Sequence, residues 1–111
     1  MDTVKEYREV IERVIEEYYR IPYSYGELSR KFIIDKDENN FLLLTIGWQN
    51  DKRVHGCLIH VEIIGDKVWI HRDGTEDGIT DELVASGIPK KQIVLGFHHP
   101  DVRPYTEFAV N

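Results

Sequence analysis

The sequence predicts an α+β fold: an antiparallel, meander-like sheet of about four to five strands, with a long N-terminal helix and a second short helix packed on it. Three strand-like runs follow one another from Phe41 to Arg72, joined by turns short enough only for antiparallel neighbours. An amphipathic helical pattern precedes these runs, and a shorter one follows them. At 111 residues the chain is long enough for one hydrophobic core, so we expect a single domain.

The first predicted element is a helix from Val4 to Arg20. Its apolar side chains recur every three to four residues and share one face: Val4, Tyr7, Ile11, Val14, Ile15 and Tyr18. Pro22 and Gly26 are expected to end it. We expect this apolar face to pack on the domain's own sheet. The same positions also approximate a heptad seam, so packing on another subunit is the alternative.

The central hairpin can be placed in register from its turn. If Gly65-Asp66 is a two-residue turn, four cross-strand pairs follow: Ile64 with Lys67, Ile63 with Val68, Val61 with Ile70, and His60 with His71. One face of the sheet then carries the predicted core residues Cys57, Ile59, Val61, Ile63, Val68 and Ile70. The other face carries Leu58, His60, Glu62, Trp69 and His71.

The strand before this hairpin is apolar on both faces. Its side chains divide into Phe41, Leu43 and Thr45 on one side and Leu42, Leu44, Ile46 and Trp48 on the other. One helix can cover only one face of a sheet. The second face therefore needs the other helix, the C-terminal tail or a partner. This is the clearest indication of association, and a second copy of the chain is one candidate partner.

Shorter elements are predicted on either side of these strands. Glu27 to Asp35 is a strand candidate that ends in a polar hairpin loop over residues 35–40. A short helix is expected to end near Ser86, followed by a last strand from Ile93 to Phe97. The tail from His98 to Asn111 has two prolines and an apolar end, so we expect it to pack on the domain.

Composition argues against several classes of function. The net charge is −6, and no run of Lys and Arg exceeds two residues, whereas nucleic-acid-binding modules normally carry a basic stripe. No apolar run approaches the ~20 residues of a membrane span, and we see no signal-peptide pattern. The one cysteine, Cys57, has no disulfide partner, which favours a cytoplasmic location.

Three groups of residues contain the side-chain types of a chemical site. His60, Glu62 and His71 could bind a transition metal, although Leu58 and Trp69 on the same face equally indicate a solvated or interface surface. The second and third groups are Asp73, Thr75, Asp77 and Gly78, and His98, His99, Asp101, Arg103 and Tyr105.

The second group imitates the start of a calcium loop, but its twelfth position is Val84 instead of a bidentate Glu, so helix capping explains it better. The third group contains acid–base residue types but no nucleophile, oxyanion hole or phosphate loop beside them. We therefore expect no enzyme, no catalytic residues and no cofactor or metal.

Eight short runs resemble one known family. They are Gly47-Trp48, Val54-His55-Gly56-Cys57, Ile59-His60, Lys67-Val68-Trp69-Ile70, Asp73-Gly74-Thr75-Glu76, Gly87-Ile88-Pro89-Lys90, Ile93-Val94-Leu95-Gly96-Phe97-His98 and Arg103-Pro104-Tyr105-Thr106-Glu107-Phe108-Ala109-Val110. They resemble XisI, the fdxN element excision controlling factor of filamentous cyanobacteria. The likeness covers nearly the whole chain, so residues 1–111 are expected to form one XisI-like domain.

The resemblance implies a role in DNA excision during heterocyst differentiation. There the site-specific recombinase XisF removes the element by DNA recombination, and XisH and XisI act with it as controlling factors. The family has no established catalytic residues, and none is transferred to this chain.

The resemblance and the residues together lead to a hypothesis of protein–protein interaction. An acidic chain is better suited to a protein partner than to DNA. Four tyrosines near the first helix suit an interface, although they suit a half-buried loop equally well: Tyr18, Tyr19, Tyr23 and Tyr25. We expect an XisH-type protein to bind the face of Leu58, His60, Glu62, Trp69 and His71, and the recombinase to be reached only indirectly. Direct DNA contact through Lys52-Arg53, Arg72 and Lys90-Lys91 is the first alternative, and a metal-dependent enzyme is the second.

Overall fold

The structure, a computed structural model, describes residues 3–21, 27–75 and 78–111. Its helices and strands are α1 (Thr3–Tyr19), β1 (Glu27–Ile34), β2 (Asn40–Gln49), β3 (Lys52–Ile64), β4 (Lys67–Asp73), α2 (Thr80–Ala85) and β5 (Ile93–Leu95). Short 3-10 turns lie at Lys90–Gln92 and Arg103–Tyr105.

The five strands form one sheet in the order β1-β2-β3-β4-β5. Consecutive strands from β1 to β4 are antiparallel hairpin neighbours, whereas β5 runs parallel to β4. The chain returns to the same end of the sheet through α2, and such a crossover allows a parallel pair. The predicted α+β fold, with its largely antiparallel sheet and two helices, is confirmed. The last strand is shorter than expected and ends at Leu95.

Helix α1 packs on the chain's own sheet. Its apolar stripe buries Tyr7, Ile11, Val14 and Ile15 in the common core, so the alternative of a heptad seam to another subunit is wrong. Neither described helix has the length and apolar character of a membrane span. The expected helix stops Pro22 and Gly26, and the tyrosines Tyr23 and Tyr25, lie outside the described residues.

Two arginines attach the ends of α1 to the sheet. Arg8 donates from Nε to the Glu38 carbonyl oxygen, at 3.0 Å, in the β1–β2 turn. Arg30 on β1 donates to the carbonyl oxygens of Tyr18 and Ile21 at the other end of the helix. The Tyr18 carbonyl also accepts from the Ile21 backbone N–H at 3.1 Å. A cationic donor at the C-terminal end of a helix complements the helix dipole.

The β1–β2 turn is organised by one carboxylate. Asp35 Oδ1 accepts from the backbone N–H groups of Asn39 (2.8 Å) and Asn40 (2.9 Å), and Oδ2 accepts from Asn40 Nδ2 at 3.0 Å. These bonds stabilise the ionised form, and those from Asn40 lower the pKa of Asp35 the most. The polar hairpin loop predicted over residues 35–40 is therefore an ordered turn held by the Asp35 carboxylate.

The core lies between the helices and one sheet face. Its largest fully buried side chains are Ile11, Ile15, Phe41, Leu43, Ile59, Val61, Val68, Ile70, Ile79, Leu83, Ile88 and Ile93. Every predicted inner-face residue of β3 and β4 is buried except Cys57, which is only half-buried.

Two irregularities in register explain this exception. In β3, Ile59 pairs with Leu43 but Cys57 pairs with Leu44, so Leu58 is an extra residue. Since side chains alternate along a strand, one extra residue moves everything beyond it to the other face. Cys57 therefore lies on the face of Leu44, away from α1, while Leu58 packs against the core. The expected placements of Cys57 in the core and Leu58 on the opposite face are wrong.

The second irregularity lies between β3 and β4. The expected pairs of the hairpin from Ile64–Lys67 to Val61–Ile70 are present. His60, however, pairs with Arg72, which leaves His71 as the extra residue. The expected direct pairing of His60 with His71 is wrong, although their rings remain neighbours.

Gly47 is the position where the β1–β2 pair is most sensitive to a side chain. Its φ is +147°, and a Cβ there would lie 1.9 Å from the Glu27 carbonyl oxygen. We expect Gly47→Ala to lower the free energy of unfolding by roughly 2–4 kcal/mol, measured by urea denaturation.

Gly56→Ala is the matched control, because a Cβ at Gly56 would meet nothing within 4 Å. This variant should be neutral or more stable by up to about 1 kcal/mol, since alanine suits a strand better than glycine. Equal losses in the two variants would contradict the close approach at Gly47.

Candidate partner-binding face

The sheet face turned away from α1 is the candidate site, and we call it the outer face. Its apolar half lies on β1 and β2 and consists of Ile33, Leu42, Leu44, Ile46 and Trp48. Its polar half lies on β3 and β4 and consists of His60, Glu62, Trp69 and His71. In the apolar half, Ile33 is 43% and Trp48 46% exposed. Both described helices pack on the opposite face.

The polar half brings together four of the five residues predicted for the partner-binding face. His71 Nε2 lies 3.0 Å from Glu62 Oε1, and His60 Nε2 lies 2.9 Å from Asn40 Oδ1. The two imidazole rings are 4.8 Å apart between centroids. The indole of Trp69 stacks against His71 at 6.1 Å. Leu58 is the residue that does not join them, because the irregularity in β3 turns it to the core.

These contacts engage the atoms that a metal would need. His71 Nε2 faces a carboxylate and His60 Nε2 faces an amide oxygen, so neither nitrogen points to a shared centre. Among the described residues, no group of three or more His, Cys, Asp or Glu side chains could hold a metal ion. The polar half offers hydrogen-bonding groups on a half-exposed surface, which suits recognition.

The C-terminal tail covers part of the polar half. The guanidinium carbon of Arg103 lies 5.1 Å from the centroid of the Trp69 ring, a cation–π distance. Arg103 also donates from Nε to the His98 carbonyl oxygen at 3.1 Å, and Ala109 bridges Val94 beside β5. The tail packs as predicted. Arg103, grouped in the sequence with acid–base residue types, here holds the tail against the sheet.

The other members of that group do not converge. His99 Nδ1 accepts from the backbone N–H of Asp101 at 3.2 Å and lies 3.6 Å from the Asp101 carboxylate. Tyr105 is 90% exposed. This arrangement is a surface turn with local contacts.

The predicted capping turn is held by Asp73. Both of its carboxylate oxygens lie 3.0 Å from the Ile79 backbone N–H, and the hydroxyls of Thr75 and Thr80 donate to it at 3.2 Å. The carboxylate thus satisfies the N–H of Ile79 just before α2 and holds the turn. Ile79 is itself the N-cap residue and α2 has no side-chain capping hydrogen bond, so the expected capping by an Asp or Thr side chain is wrong. Asp77 of the imitated calcium loop lies outside the described residues.

An apolar concavity that the sequence pattern did not indicate lies where Leu58 is turned inward. It encloses about 350 Å³ and is lined by Leu28, Thr45, Gln49, Val54, Gly56, Cys57 and Leu58. Cys57 borders this concavity, but its register with Leu44 directs its side chain to the outer face, and partial burial there raises the pKa of its thiol. The side chains that line the concavity are mostly apolar, so it offers apolar contact.

The cations considered for DNA contact are dispersed. Lys52 and Arg53 lie at the β2–β3 turn, while Arg72 pairs with His60, seven residues or ~23 Å along β3 from Arg53. Lys90 Nζ lies 2.6 Å from the Glu107 carboxylate.

Comparison with known proteins relates the whole chain to one group. The model of the family described as XisI protein matches residues 1–110. The crystal structure of a XisI-like protein from Anabaena variabilis is similar, with 31% identity, a TM-score of 0.89 and coverage of 99% of this chain and 100% of that one. The crystal structure of the fdxN element excision controlling factor XisI from the same organism has 38% identity, a TM-score of 0.85 and the same coverage. No curated protein matches.

The imidazole pair gives a pH-dependent prediction. Partial burial lowers the pKa of His60 below its usual 6.5, His71 acts in the same direction, and Glu62 opposes them. The fold therefore favours neutral His60. The contribution of neutral His60 to the free energy of unfolding is fully present above pH 6.5. It should decrease as the pH falls through 6.5 toward the lower pKa of His60 in the folded state.

NMR titration of the imidazole signals checks this. We expect His60 to titrate below 6.5 in the native protein, and lower still in Glu62→Gln, which removes the carboxylate that favours the charged ring. A His60 pKa that rises in the variant would contradict the assignment.

Proposed function

Because the chain belongs to the XisI family, we propose that it is an accessory controlling factor of programmed site-specific DNA excision, and that it acts by binding an XisH-type protein rather than by catalysis. The observation that carries the proposal is the likeness to the fdxN element excision controlling factor XisI, which extends over essentially both chains at 38% identity. At this identity and TM-score the two chains share the whole domain. Strand cutting and rejoining are left to the recombinase.

The polar half of the outer face supports binding as the mode of action. It combines the Trp69 indole, the Glu62 carboxylate and two imidazoles on a rigid sheet, and each group is only half-buried. Aromatic side chains beside paired polar groups are typical of recognition surfaces. The Arg103 guanidinium fixes the Trp69 ring before any partner arrives, which reduces the entropy lost on binding.

The charge of the chain supports a protein partner as well. A net charge of −6 repels the phosphate backbone of DNA and attracts basic protein surfaces. In this proposal the chain reaches DNA only through its partner, and the recombinase only indirectly.

The partner proposal is tested by co-expression of this chain with an XisH-type protein, followed by size exclusion and calorimetry. We expect one co-eluting complex at micromolar concentration. Glu62→Arg should weaken binding tenfold or more, because it breaks the contact with His71 and reverses the charge of the polar half.

Glu12→Arg on the exposed side of α1 makes the same change of charge away from the outer face and should bind within about twofold of the native chain. If the native chain and the XisH-type protein elute as separate peaks, the proposed partner is refuted. If Glu12→Arg and Glu62→Arg weaken binding of the XisH-type protein equally, the polar half of the outer face is refuted as its binding site.

Direct contact with DNA is the second candidate, favoured by the exposed Lys52 and Arg53 at the β2–β3 turn. A gel shift at low salt decides it, because contacts to phosphate are strongest there. Retardation that disappears in Lys52→Ala/Arg53→Ala would support this candidate. A native chain that causes no shift would remove it.

A further inference from the structure

The apolar half of the outer face is distinct from the polar half and has a charge pattern of its own. Its axis is strand β2, from which Leu42, Leu44, Ile46 and Trp48 project on the outer side. Strands β1 and β3 flank it symmetrically, each ~4.8 Å away. No described element covers Ile33 or Trp48, so this apolar surface remains open within the described part of one chain.

The charges at the end of this stripe are arranged in one row. Trp48 pairs with Glu27 on β1 and with Arg53 on β3, so an acid and a base stand on opposite sides of the same indole. The guanidinium carbon of Arg53 lies 5.5 Å from the centroid of the Trp48 ring, which places both side chains on the outer face. In the next row Ser29 and His55 flank Ile46, and in the row after that Lys31 and Cys57 flank Leu44.

We infer that this half of the outer face binds a second copy of the same chain, with the two-fold axis along β2. A two-fold contact must be self-complementary. Rotation about an axis parallel to β2 places β1 of one copy over β3 of the other. Glu27 of each copy then opposes Arg53 of the other, on both sides of two stacked Trp48 side chains. Sheets commonly pack face to face with nearly aligned strands.

The area of the apolar half determines how tightly the two copies are expected to bind. Four rows over three strands cover roughly 27 Å by 14 Å, or about 400 Å² per copy. Standard interfaces bury about 800 Å² per partner, so the dimer should be reversible, with a micromolar dissociation constant. The inference goes beyond the proposed function, and its test needs this chain alone.

Charge reversal tests both the face and the axis. Sedimentation equilibrium from about 5 to 500 µM should show the native chain passing from monomer to dimer. Glu27→Arg sets Arg against Arg in its own dimer, and Arg53→Glu sets Glu against Glu. Each variant alone should raise the dissociation constant tenfold or more, while circular dichroism reports an unchanged fold.

Mixing the two variants is the decisive step. In a mixed dimer both contacts again join an acid to a base, so dimers should reappear at native strength. A native chain that stays monomeric at 500 µM would overturn the inference. So would variants that dimerise as the native chain does, or a mixture that remains monomeric. Glu12→Arg on α1 is the charge control and should dimerise normally.

Discussion

The extra residue at Leu58 is the constraint on which both faces of the sheet depend. Strand β3 lies in the middle of the sheet, and side chains alternate along it. From Ile59 onward its odd-numbered residues face α1, whereas before Leu58 the odd-numbered residues Arg53, His55 and Cys57 face outward. Without the insertion, these three side chains would point toward the helical layer. The row in which Glu27 and Arg53 flank Trp48 exists because of this irregularity.

Regular elements could be predicted from the sequence because their patterns are unambiguous. The stripe of α1 has one spacing and one buried face, and the Gly65-Asp66 turn sets the register of the hairpin out to Val61–Ile70. The irregularities could not be predicted. Cys57 and Leu58 are both apolar, and His71 and Arg72 are both polar, so alternation does not mark which residue is extra. Likewise, β5 is three apolar residues, whose pattern does not encode a parallel direction.

The candidate site was predictable where it follows from local register and not where it depends on distant contacts. His60, Glu62, Trp69 and His71 share a face because β3 and β4 form a tight hairpin. The Arg103 guanidinium above Trp69 comes from the C-terminal tail, and no spacing in the chain connects the two residues. The sequence grouped Arg103 with acid–base residue types, but tertiary packing shows that this residue holds the C-terminal tail in place.

The two halves of the outer face meet at one row, and this links the two associations proposed for it. In that row Ile33 and Leu42 of the apolar half lie beside His60 of the polar half. A second copy that covers Leu42 also removes water from the neighbouring imidazole, and further desolvation favours its neutral form. A partner bound to the polar half meets the same imidazole from the other side. Dimerisation therefore changes the binding free energy of the partner, and partner binding changes the free energy of dimerisation by the same amount. The sign of this change depends on whether the partner requires neutral or charged His60.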